Sequence, residues 1–333
     1  MTDVLAGVDL GGTSIKLAIA DCDGRLLEHE TIPTESHQGP AAVLDRLAAF
    51  VDQLLRRETL ANQCGGPPEI LGLGIGLPGL VDRESGQTKF LPNMPTKWRD
   101  VSVGQHLESR LQTPVRILND VRMAALGELT YGHGMSQANP TMAFFSIGTG
   151  VGGAIVIDGN LRLGPLGSAG ELGHQTLDPN GPRCGCGNRG CLEALASGPA
   201  ITSSGIRLMN SGLAPHLHGA SGGDAGNVTP SLMASVAGQD AAIQEALEQA
   251  YSWIGIAAAN VVTMLHPDYV VLGGGVAELG EPLVRHVEKT IHDRVGMFPT
   301  DAIRVLPSAL GERAGVMGAI ALANLARGGG PHP

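Results

Sequence analysis

The chain has 333 residues and a formal net charge of −10, with 43% hydrophobic, 16% charged and 3% aromatic residues. This length is sufficient for two domains with separate cores. The acidic balance argues against nucleic acid or an anionic membrane surface as a partner. The sequence has no apolar run near the roughly 18 residues that a membrane-spanning helix needs and no targeting segment ahead of its first strand, so we expect a cytoplasmic protein.

The first part of the chain alternates short apolar runs with glycine-rich turns and then with amphipathic stretches. The runs predict strands because turn residues bound them, and apolar residues at helical spacing predict helices. Strands are expected at residues 4–10, 15–20, 25–32, 70–75 and 115–118, and helices at 40–57, 101–111 and 121–131.

A similar order of elements recurs from residue 142. Between two of its helices, the Gly-, Ser- and His-rich residues 210–230 predict a surface excursion. Strands are expected at 142–147, 153–157, 161–163, 269–272 and 303–306, and helices at 197–209, 231–237, 239–265, 281–295 and 311–327.

The two halves begin with the same motif, a strand, a glycine-threonine turn and a second strand. The turn is Gly11-Gly12-Thr13 in the first half and Gly148-Thr149-Gly150 in the second. This weak internal repeat indicates a duplication with an active-site cleft between the halves. Glycine-rich hairpins are common, so two unrelated hairpins would produce the same pattern.

These turns are suited to phosphate, because successive backbone N–H groups in such a turn form a nest for anionic oxygens. Asp9 borders the first turn and is suited to hold Mg²⁺, directly or through water, while the Thr13 hydroxyl is suited to a phosphate oxygen. Two nests facing one triphosphate would bind ATP with Mg²⁺. Gly273-Gly274-Gly275 follows a strand and precedes a helix, where α/β sheets bind ligands, although a plain turn would look the same.

A dense group of soft metal ligands occupies the middle of the chain. Cys184, Cys186 and Cys191 lie within eight residues, and His174 stands ten residues before the first of them. Three thiols and one imidazole are the ligand set of a structural Zn²⁺ site. The alternative, three core cysteines in a glycine-rich loop, does not explain so many soft ligands in a polar segment. Using thiols as ligands also suits a reducing compartment.

Two carboxylates, Glu171 and Glu193, flank this cluster. A metal that fixes the loop would also fix these acceptors, which suit a ligand rich in hydroxyl donors, such as a sugar. His174 would bind the metal through one ring nitrogen and offer the other to a sugar oxygen. The alternative is that both glutamates are solvated surface residues and that His174 serves the metal alone.

Asn119 and Asp120 end a predicted strand and begin a predicted helix. One interpretation is helix capping, which both residue types favour. The other is a functional carboxylate at the cleft, kept ionised by the helix N-terminus, with the amide beside it orienting a substrate.

The run GELGH at 170–174 and the run CGCGNRGCLE at 184–193 resemble the sugar kinases of the ROK family, and the resemblance covers nearly the whole chain. It implies an α/β, actin-like ATPase (ribonuclease H-like) fold of two duplicated βββαβα-type domains with a cleft between them. The small N-terminal domain would comprise 1–119 and 311–327, with the last helix packed back onto it. The large domain, 120–310, would contain the zinc-binding loop.

The resemblance also assigns roles to residues. Asp120 would be the catalytic base for transfer of the ATP γ-phosphate to the 6-hydroxyl of a hexose, and Gly273–Gly275 would lie near the adenosine. The family commonly has Glu where this chain has Leu118, a departure that changes a neighbour of the base and not the base. The residues expected to bind the sugar are Asn93, Asn119, Asp120, Glu171, His174 and Glu193.

The loop at 91–98, which contains Asn93, resembles the Pro-Asn…Trp loop of bacterial glucokinases in the family and favours glucose. Kinases for N-acetylglucosamine, N-acetylmannosamine, mannose or fructose use the same residue types and remain alternatives, as does polyphosphate as the phosphoryl donor. A non-enzymatic, sugar-responsive repressor is a further alternative. It would need a helix-turn-helix ahead of the sugar domain, which a strand at residue 4 and the acidic charge disfavour. The family is often dimeric or tetrameric, so we expect a homo-oligomer.

Overall fold

The structure, a computed structural model, describes residues 3–92, 94–95 and 98–328. Within these ranges the chain forms twelve strands and eleven α-helices. The strands are β1 Val4–Leu10, β2 Ser14–Ala20, β3 Leu26–Pro33, β4 Ile70–Leu77, β5 Leu80–Asp82, β6 Gln87–Phe90, β7 Val115–Asn119, β8 Met142–Ile147, β9 Val151–Ile157, β10 Asn160–Leu161, β11 Tyr269–Gly273 and β12 Arg304–Pro307. The helices are α1 Pro40–Leu55, α2 Glu58–Cys64, α3 Val103–Leu111, α4 Asp120–Tyr131, α5 Leu192–Ala196, α6 Gly198–Asn210, α7 Pro215–Ala220, α8 Pro230–Val236, α9 Ala241–Leu265, α10 Glu281–Arg294 and α11 Ala314–Arg327.

The first sheet has the strand order β3-β2-β1-β4-β7. The first three strands of the chain pair antiparallel, as the two glycine-containing turns between them require, whereas β1, β4 and β7 run parallel. The registers place Asp9 opposite Gly76 and Gly76 opposite Leu118. Because the carboxyl ends of parallel strands meet at one edge of a sheet, Asp9 and the residues after Leu118 lie at the same edge.

Helix α11 packs directly on this sheet because the strands beneath it carry glycine. A Cβ at Gly74 would lie 2.0 Å from the Ala319 carbonyl oxygen, and a Cβ at Gly7 would lie 2.7 Å from that of Val316. The helix is also pressed against α4, since a Cβ at Gly318 would lie 1.7 Å from the Met123 carbonyl oxygen. The two backbones therefore approach more closely than any side chain permits. The same sheet also contributes side chains such as Val8 and Ile75 to a separate apolar core with α1, α2 and α3, in which Leu47 and Leu107 are buried.

The second sheet has the strand order β10-β9-β8-β11-β12. Its strand directions repeat those of the first sheet, because β8 and β9 pair antiparallel while β8, β11 and β12 run parallel. Strand β11 is buried along its whole length and contributes to a core that includes α9 and α10. The repeated order agrees with the duplication that the two glycine-threonine turns indicate.

The chain folds into two compact units, each with its own sheet and core. Unit 1 comprises the described residues up to Ala138, then Gly159–Ala169 and the chain from Glu312 onward, and unit 2 comprises Asn139–Asp158 and Gly170–Gly311. These units are compact parts of the chain, whereas the expected boundary after residue 119 separates the two duplicated halves. That boundary therefore stays a prediction.

The stretch at 210–230 contains more structure than a surface excursion. It forms α7, and Ala214, Leu217 and Val228 are buried in the core of unit 2. The Asp240 carboxylate anchors α7 by accepting hydrogen bonds from the backbone N–H groups of His216 (3.2 Å) and Leu217 (2.8 Å). In the part of the chain that the structure describes, none of the helices is both long enough and apolar enough to cross a membrane.

Candidate active site

Asp120 is the first residue of α4 and follows the end of β7 directly. Asn119 caps the helix, since its side-chain Oδ1 accepts hydrogen bonds from the backbone N–H groups of Val121 (3.1 Å) and Arg122 (3.2 Å). The Asp120 Oδ1 accepts from the Val121 N–H and from the Asn119 side-chain Nδ2, both at 2.9 Å. These bonds hold the half-buried carboxylate in one orientation at a helix N-terminus, which favours a negative charge.

The Asn119 amide is fully engaged inside unit 1. Its Nδ2 also donates to the Gly79 carbonyl oxygen (3.2 Å), and its Oδ1 also accepts from Arg122 Nη1 (3.0 Å). An amide has two N–H hydrogens and two oxygen lone pairs, and all of these have protein partners here. The amide thus orients Asp120, and a direct contact with a sugar hydroxyl would have to replace one of these bonds. The expected sugar contact of Asn119 stays a prediction.

Burial and a neighbouring carboxylate perturb the pKa of Asp120. Burial raises the pKa of Asp120 to about 6, and the negative charge of Asp9 adds to the rise, while the Val121 N–H and the charge of Arg122 oppose it. Burial also raises the pKa of Asp9, against the attraction of Lys16. At neutral pH Asp120 is therefore ionised in most molecules, yet it is a stronger base than an ordinary aspartate.

Asp9 lies against the first turn of α11. A Cβ at Gly315 would lie 2.7 Å from Asp9 Oδ2, so this position leaves room for the carboxylate only as glycine. A carboxylate oxygen at the end of a strand is the type of ligand that Mg²⁺ takes, directly or through water. Asp9 therefore fits the expected magnesium contact by its chemistry and its position.

The first glycine-threonine turn is held in place from β3. The buried Thr34 donates its hydroxyl to the Gly11 carbonyl oxygen (2.7 Å), and its N–H donates to the Thr13 carbonyl oxygen (2.9 Å). Gly11 N–H closes the turn on the Ser14 carbonyl oxygen (2.9 Å). Gly12 and Thr13 lie toward solvent, as a phosphate-binding turn requires.

In unit 2, the second turn and the triple glycine lie together. The Val276 N–H donates to the Ile147 carbonyl oxygen (2.9 Å), and Gly274 has a φ of 81° and leaves no room for a Cβ, which would lie 2.5 Å from that same oxygen. The first N–H of α6, from Gly198, donates to the Gly148 carbonyl oxygen (2.8 Å). A Cβ at Gly148 would meet no atom within 4 Å, so the turn is bordered by open space. The neighbourhood of Gly148–Gly150 and Gly273–Gly275 suits a nucleotide.

The four soft ligands form one cluster. The ligand atoms of His174, Cys184, Cys186 and Cys191 all lie within 4.8 Å of one another. The Cys184 Sγ is 3.6 Å from His174 Nδ1, and the Cys186 Sγ is 3.7 Å from the Cys191 Sγ. In a tetrahedral zinc site, Zn–S bonds of about 2.3 Å place sulfur atoms roughly 3.7 Å apart. The cluster therefore fits Zn²⁺ in ligand type, number and spacing.

The electrostatics of the cluster point to a cation as well. Burial, together with the neighbouring thiols Cys186 and Cys184, raises the pKa of Cys191 to about 12. Burial also raises the pKa of Cys184, while the Asn188 N–H lowers that of Cys186. Thiols with a raised pKa, such as Cys184 and Cys191, are neutral in isolation, whereas a divalent cation removes their protons and binds the thiolates.

The carboxylates beside the cluster differ in their surroundings. Glu171 is exposed and precedes a short 3₁₀ turn that contains His174. Glu193 lies in the first turn of α5, where its Oε1 is 3.5 Å from the Cys184 Sγ and its Oε2 accepts from the Val151 N–H (3.0 Å). Glu193 therefore connects the His-Cys cluster with the second glycine-threonine turn.

Each unit thus collects its own group of expected site residues. Unit 1 contains Asp9, the first turn, Asn119 and Asp120, and unit 2 contains the second turn, the triple glycine, the cluster and both glutamates. Asn93 lies outside the described residues, so its expected sugar contact stays a prediction. Three residues that position the others did not stand out in the sequence: Thr34, Arg122 and Gly315. Two of them had a signal in the sequence: Thr34 directly follows a strand, and Gly315 lies in the first turn of a helix.

The model of the ROK family matches residues 5–326 of this chain. The chain is 32% identical over 317 residues to the glucokinase of Halalkalibacterium halodurans, covering 94% of this chain and 92% of that protein. It is 30% identical over 325 residues to a protein named putative xylose repressor from a Caldicellulosiruptor species, covering 96% and 77%. The crystal structure of a ROK family glucokinase from Streptomyces griseus in complex with glucose and AMPPNP has a TM-score of 0.78 and 30% identity, covering 96% of this chain and 99% of that one.

These matches extend over almost all of the chain. The structural likeness and the repeated order of the two sheets confirm the actin-like ATPase fold expected from the sequence. The chain belongs to the ROK family.

Proposed function

We propose that this chain is an ATP-dependent hexose kinase that phosphorylates the 6-hydroxyl of glucose. The observation that carries the proposal is the Asp120 carboxylate, whose orientation is fixed by Asn119 and the helix N-terminus and whose pKa is raised to about 6. The glucokinase relatives, one of them solved with glucose and an ATP analogue, favour glucose as the substrate.

In this proposal Asp120 accepts a hydrogen bond from the sugar hydroxyl and aims its oxygen at the γ-phosphate. Phosphoryl transfer passes through a loose transition state, so orientation contributes more than early proton removal, and the carboxylate accepts the proton late. A positioned base typically contributes about 10²–10⁴-fold to the rate. The raised pKa assists the last part of the step, because a stronger base holds the transferred proton better.

The two glycine-threonine turns bind the phosphates of ATP through backbone N–H groups, and Asp9 holds the accompanying Mg²⁺, which neutralises charge on the phosphate oxygens when bound. Backbone dipoles are suited to this task, because the chain has a net charge of −10 and cannot attract an anionic nucleotide by its overall field. Gly273–Gly275 would contact the adenosine.

Glu171, His174 and Glu193 hold the remaining sugar hydroxyls in this proposal. Zinc bound by the cluster would have a structural role, because all four ligands come from the protein and leave no open position. His174 faces the cluster through Nδ1, so its Nε2 would be the nitrogen offered to the sugar.

A second candidate function is a sugar-responsive regulator, favoured by the 30% identity to the xylose repressor relative. Such a protein binds sugar without transferring phosphate, so the presence or absence of turnover separates the two candidates. Location in the cytoplasm, assembly as a dimer or tetramer, and ATP as the donor in place of polyphosphate all stay predictions.

The sugar proposal predicts a specificity order. With ATP and Mg²⁺, ADP release should be fastest per enzyme with glucose and at least about tenfold slower in kcat/KM with mannose, fructose, N-acetylglucosamine or N-acetylmannosamine. A coupled ADP assay over these five sugars measures this order with ATP, and formation of the sugar phosphate measures transfer from polyphosphate, which releases no ADP. Faster turnover with an N-acetyl sugar would reassign the substrate, and no turnover with any of them would favour the regulator.

Replacing the base should separate activity from stability. Asp120→Asn should reduce kcat by about 10²–10⁴-fold, because the amide cannot accept the proton. Because the pKa of Asp120 is raised in the folded protein, its ionisation lowers the free energy of unfolding. This loss grows between pH about 4 and about 6 and stays constant at higher pH. At pH 8 the variant should therefore melt at a higher temperature than the wild type, whereas the conservative Asp120→Glu should lose activity without this gain. An active Asp120→Asn variant would contradict the assignment.

The titration of Asp120 predicts that the enzymatic rate decreases at acidic pH. Because the carboxylate must be ionised to accept the proton, kcat/KM for the sugar should fall with decreasing pH, with an apparent pKa near 6. Initial rates between pH 4.5 and 8, with circular dichroism to verify folding at each pH, measure this decrease. A decrease near pH 4 would indicate that Asp120 is not the titrating group.

Removing the metal should weaken sugar binding. Purified protein should contain about one zinc ion per chain by atomic emission, and a strong chelator should lower the melting temperature and abolish turnover until zinc is restored. Cys184→Ser should reproduce the loss, whereas Cys22→Ser, which alters a cysteine outside the cluster, should not. Normal glucose binding by zinc-free protein would mean that the cluster does not support the sugar site.

A further inference from the structure

Arg122 carries a positive charge into the interior of unit 1. Its side chain is in the first turn of α4, and the residue is only 2% exposed. Its Nη1 donates to Asn119 Oδ1 (3.0 Å), and its Nη2 donates to the carbonyl oxygens of Ser168 and Ala169, both at 3.1 Å. A buried guanidinium is costly unless its donors are satisfied, so these contacts determine where it lies.

The two carbonyl groups form a fixed receptor for the guanidinium. They end a short loop that is closed by a hydrogen bond from the Ala169 N–H to the Leu163 carbonyl oxygen (2.9 Å). The planar guanidinium reaches the carbonyl pair with one nitrogen and Asn119 with another, a geometry that a single ammonium cannot reproduce. Arg122 therefore bridges the loop and Asn119: one nitrogen of the guanidinium donates to the loop carbonyl oxygens, and the other donates to the Asn119 side chain.

The hydrogen bond from Arg122 to Asn119, together with the capping N–H groups, sets the orientation of the Asn119 amide. With Arg122 Nη1 on Oδ1, a flipped amide would place its NH₂ group against the guanidinium and against the capping N–H groups. The observed orientation directs Nδ2 to Asp120 Oδ1 and to the Gly79 carbonyl oxygen. The contacts thus form a chain from the Ser168–Ala169 carbonyls through Arg122 and Asn119 to the carboxylate.

We propose that Arg122 is a positioning residue for the phosphoryl transfer: held by the Ser168 and Ala169 carbonyls, it sets the Asn119 amide that orients Asp120. The inference rests on the proposed kinase function. It assigns no contact with substrate to Arg122. Its effect should appear in kcat, because a misoriented base slows the chemical step while the groups that bind sugar and ATP remain in place.

The first test compares two variants with a surface control. Arg122→Met should lower kcat about 10–100-fold while KM for sugar and for ATP changes less than about threefold. Arg122→Lys, which keeps the charge and one set of donors, should restore part of the loss. Arg110→Gln removes an exposed arginine that pairs with Asp45 in the same unit and should match the wild type. If Arg122→Met does not fold, Arg122→Lys decides the test, with an expected loss of about threefold to tenfold.

The second test is a double-mutant cycle with Asn119. If Arg122 acts through the amide, replacing it in an Asn119→Ala background should lower kcat by less than about threefold, although the same replacement costs at least that much alone. A radiolabelled phosphate-transfer assay gives the sensitivity that the weak double variant needs. Equal losses in both backgrounds, or unchanged kcat in folded Arg122 variants, would overturn the positioning role.

The two hypotheses fail in different ways. A wild-type protein without sugar-dependent phosphate transfer would refute the proposed function and, with it, the positioning role that rests on it. An active wild type whose Arg122 variants lose only thermal stability would refute the positioning role alone and identify Arg122 as a structural tie of the 163–169 loop.

Discussion

The arrangement of unit 1 depends on the close contact between the backbone of α11 and the strands beneath it. Glycines at 7, 72 and 74 allow the helix to lie on the sheet without intervening side chains, and Gly318 allows the same approach to α4. Interiors are packed so densely that a single added carbon at such a point forces backbone shifts. The contact thereby fixes the height of α11 above the sheet and the position of α4 beside it.

Both carboxylates of unit 1 derive their positions from this contact. Asp120 begins α4, and Asp9 lies against Gly315 in the first turn of α11, so the helices that pack against each other also hold the two acids. Bringing two acids to one sheet edge raises the pKa of Asp120 and costs stability. A fold that accepts this cost at one edge, where a cation would relieve it, is typical of a functional site and not of a structural ion pair.

The sequence was most informative where function depends on local spacing. The intervals between His174, Cys184, Cys186 and Cys191 predicted a ligand cluster that the structure brings together, and Asn119-Asp120 at a strand–helix junction predicted the cap. Most strands and helices were also predictable from the periodicity, and the fold class from the resemblance to the ROK family. Local patterns could not identify Arg122 or Thr34, since each donates to a backbone carbonyl oxygen far away in the sequence, that of Ser168 for Arg122 and that of Gly11 for Thr34. The composition of 210–230 was also misleading: the segment is mostly polar, yet its Leu217 is buried in the core.

The position of Glu193 gives the metal cluster a wider influence than sugar binding. One of its oxygens lies beside the Cys184 thiol, and the other accepts from the Val151 N–H directly after the second glycine-threonine turn. A Cβ at Gly150 would lie 2.5 Å from that second oxygen, so the turn and the carboxylate fit each other without spare room. The Glu193 side chain therefore lies between Cys184 and the backbone beside Gly148–Gly150. In unit 2 the residues proposed for sugar and those proposed for nucleotide thus share a contact with one side chain, Glu193.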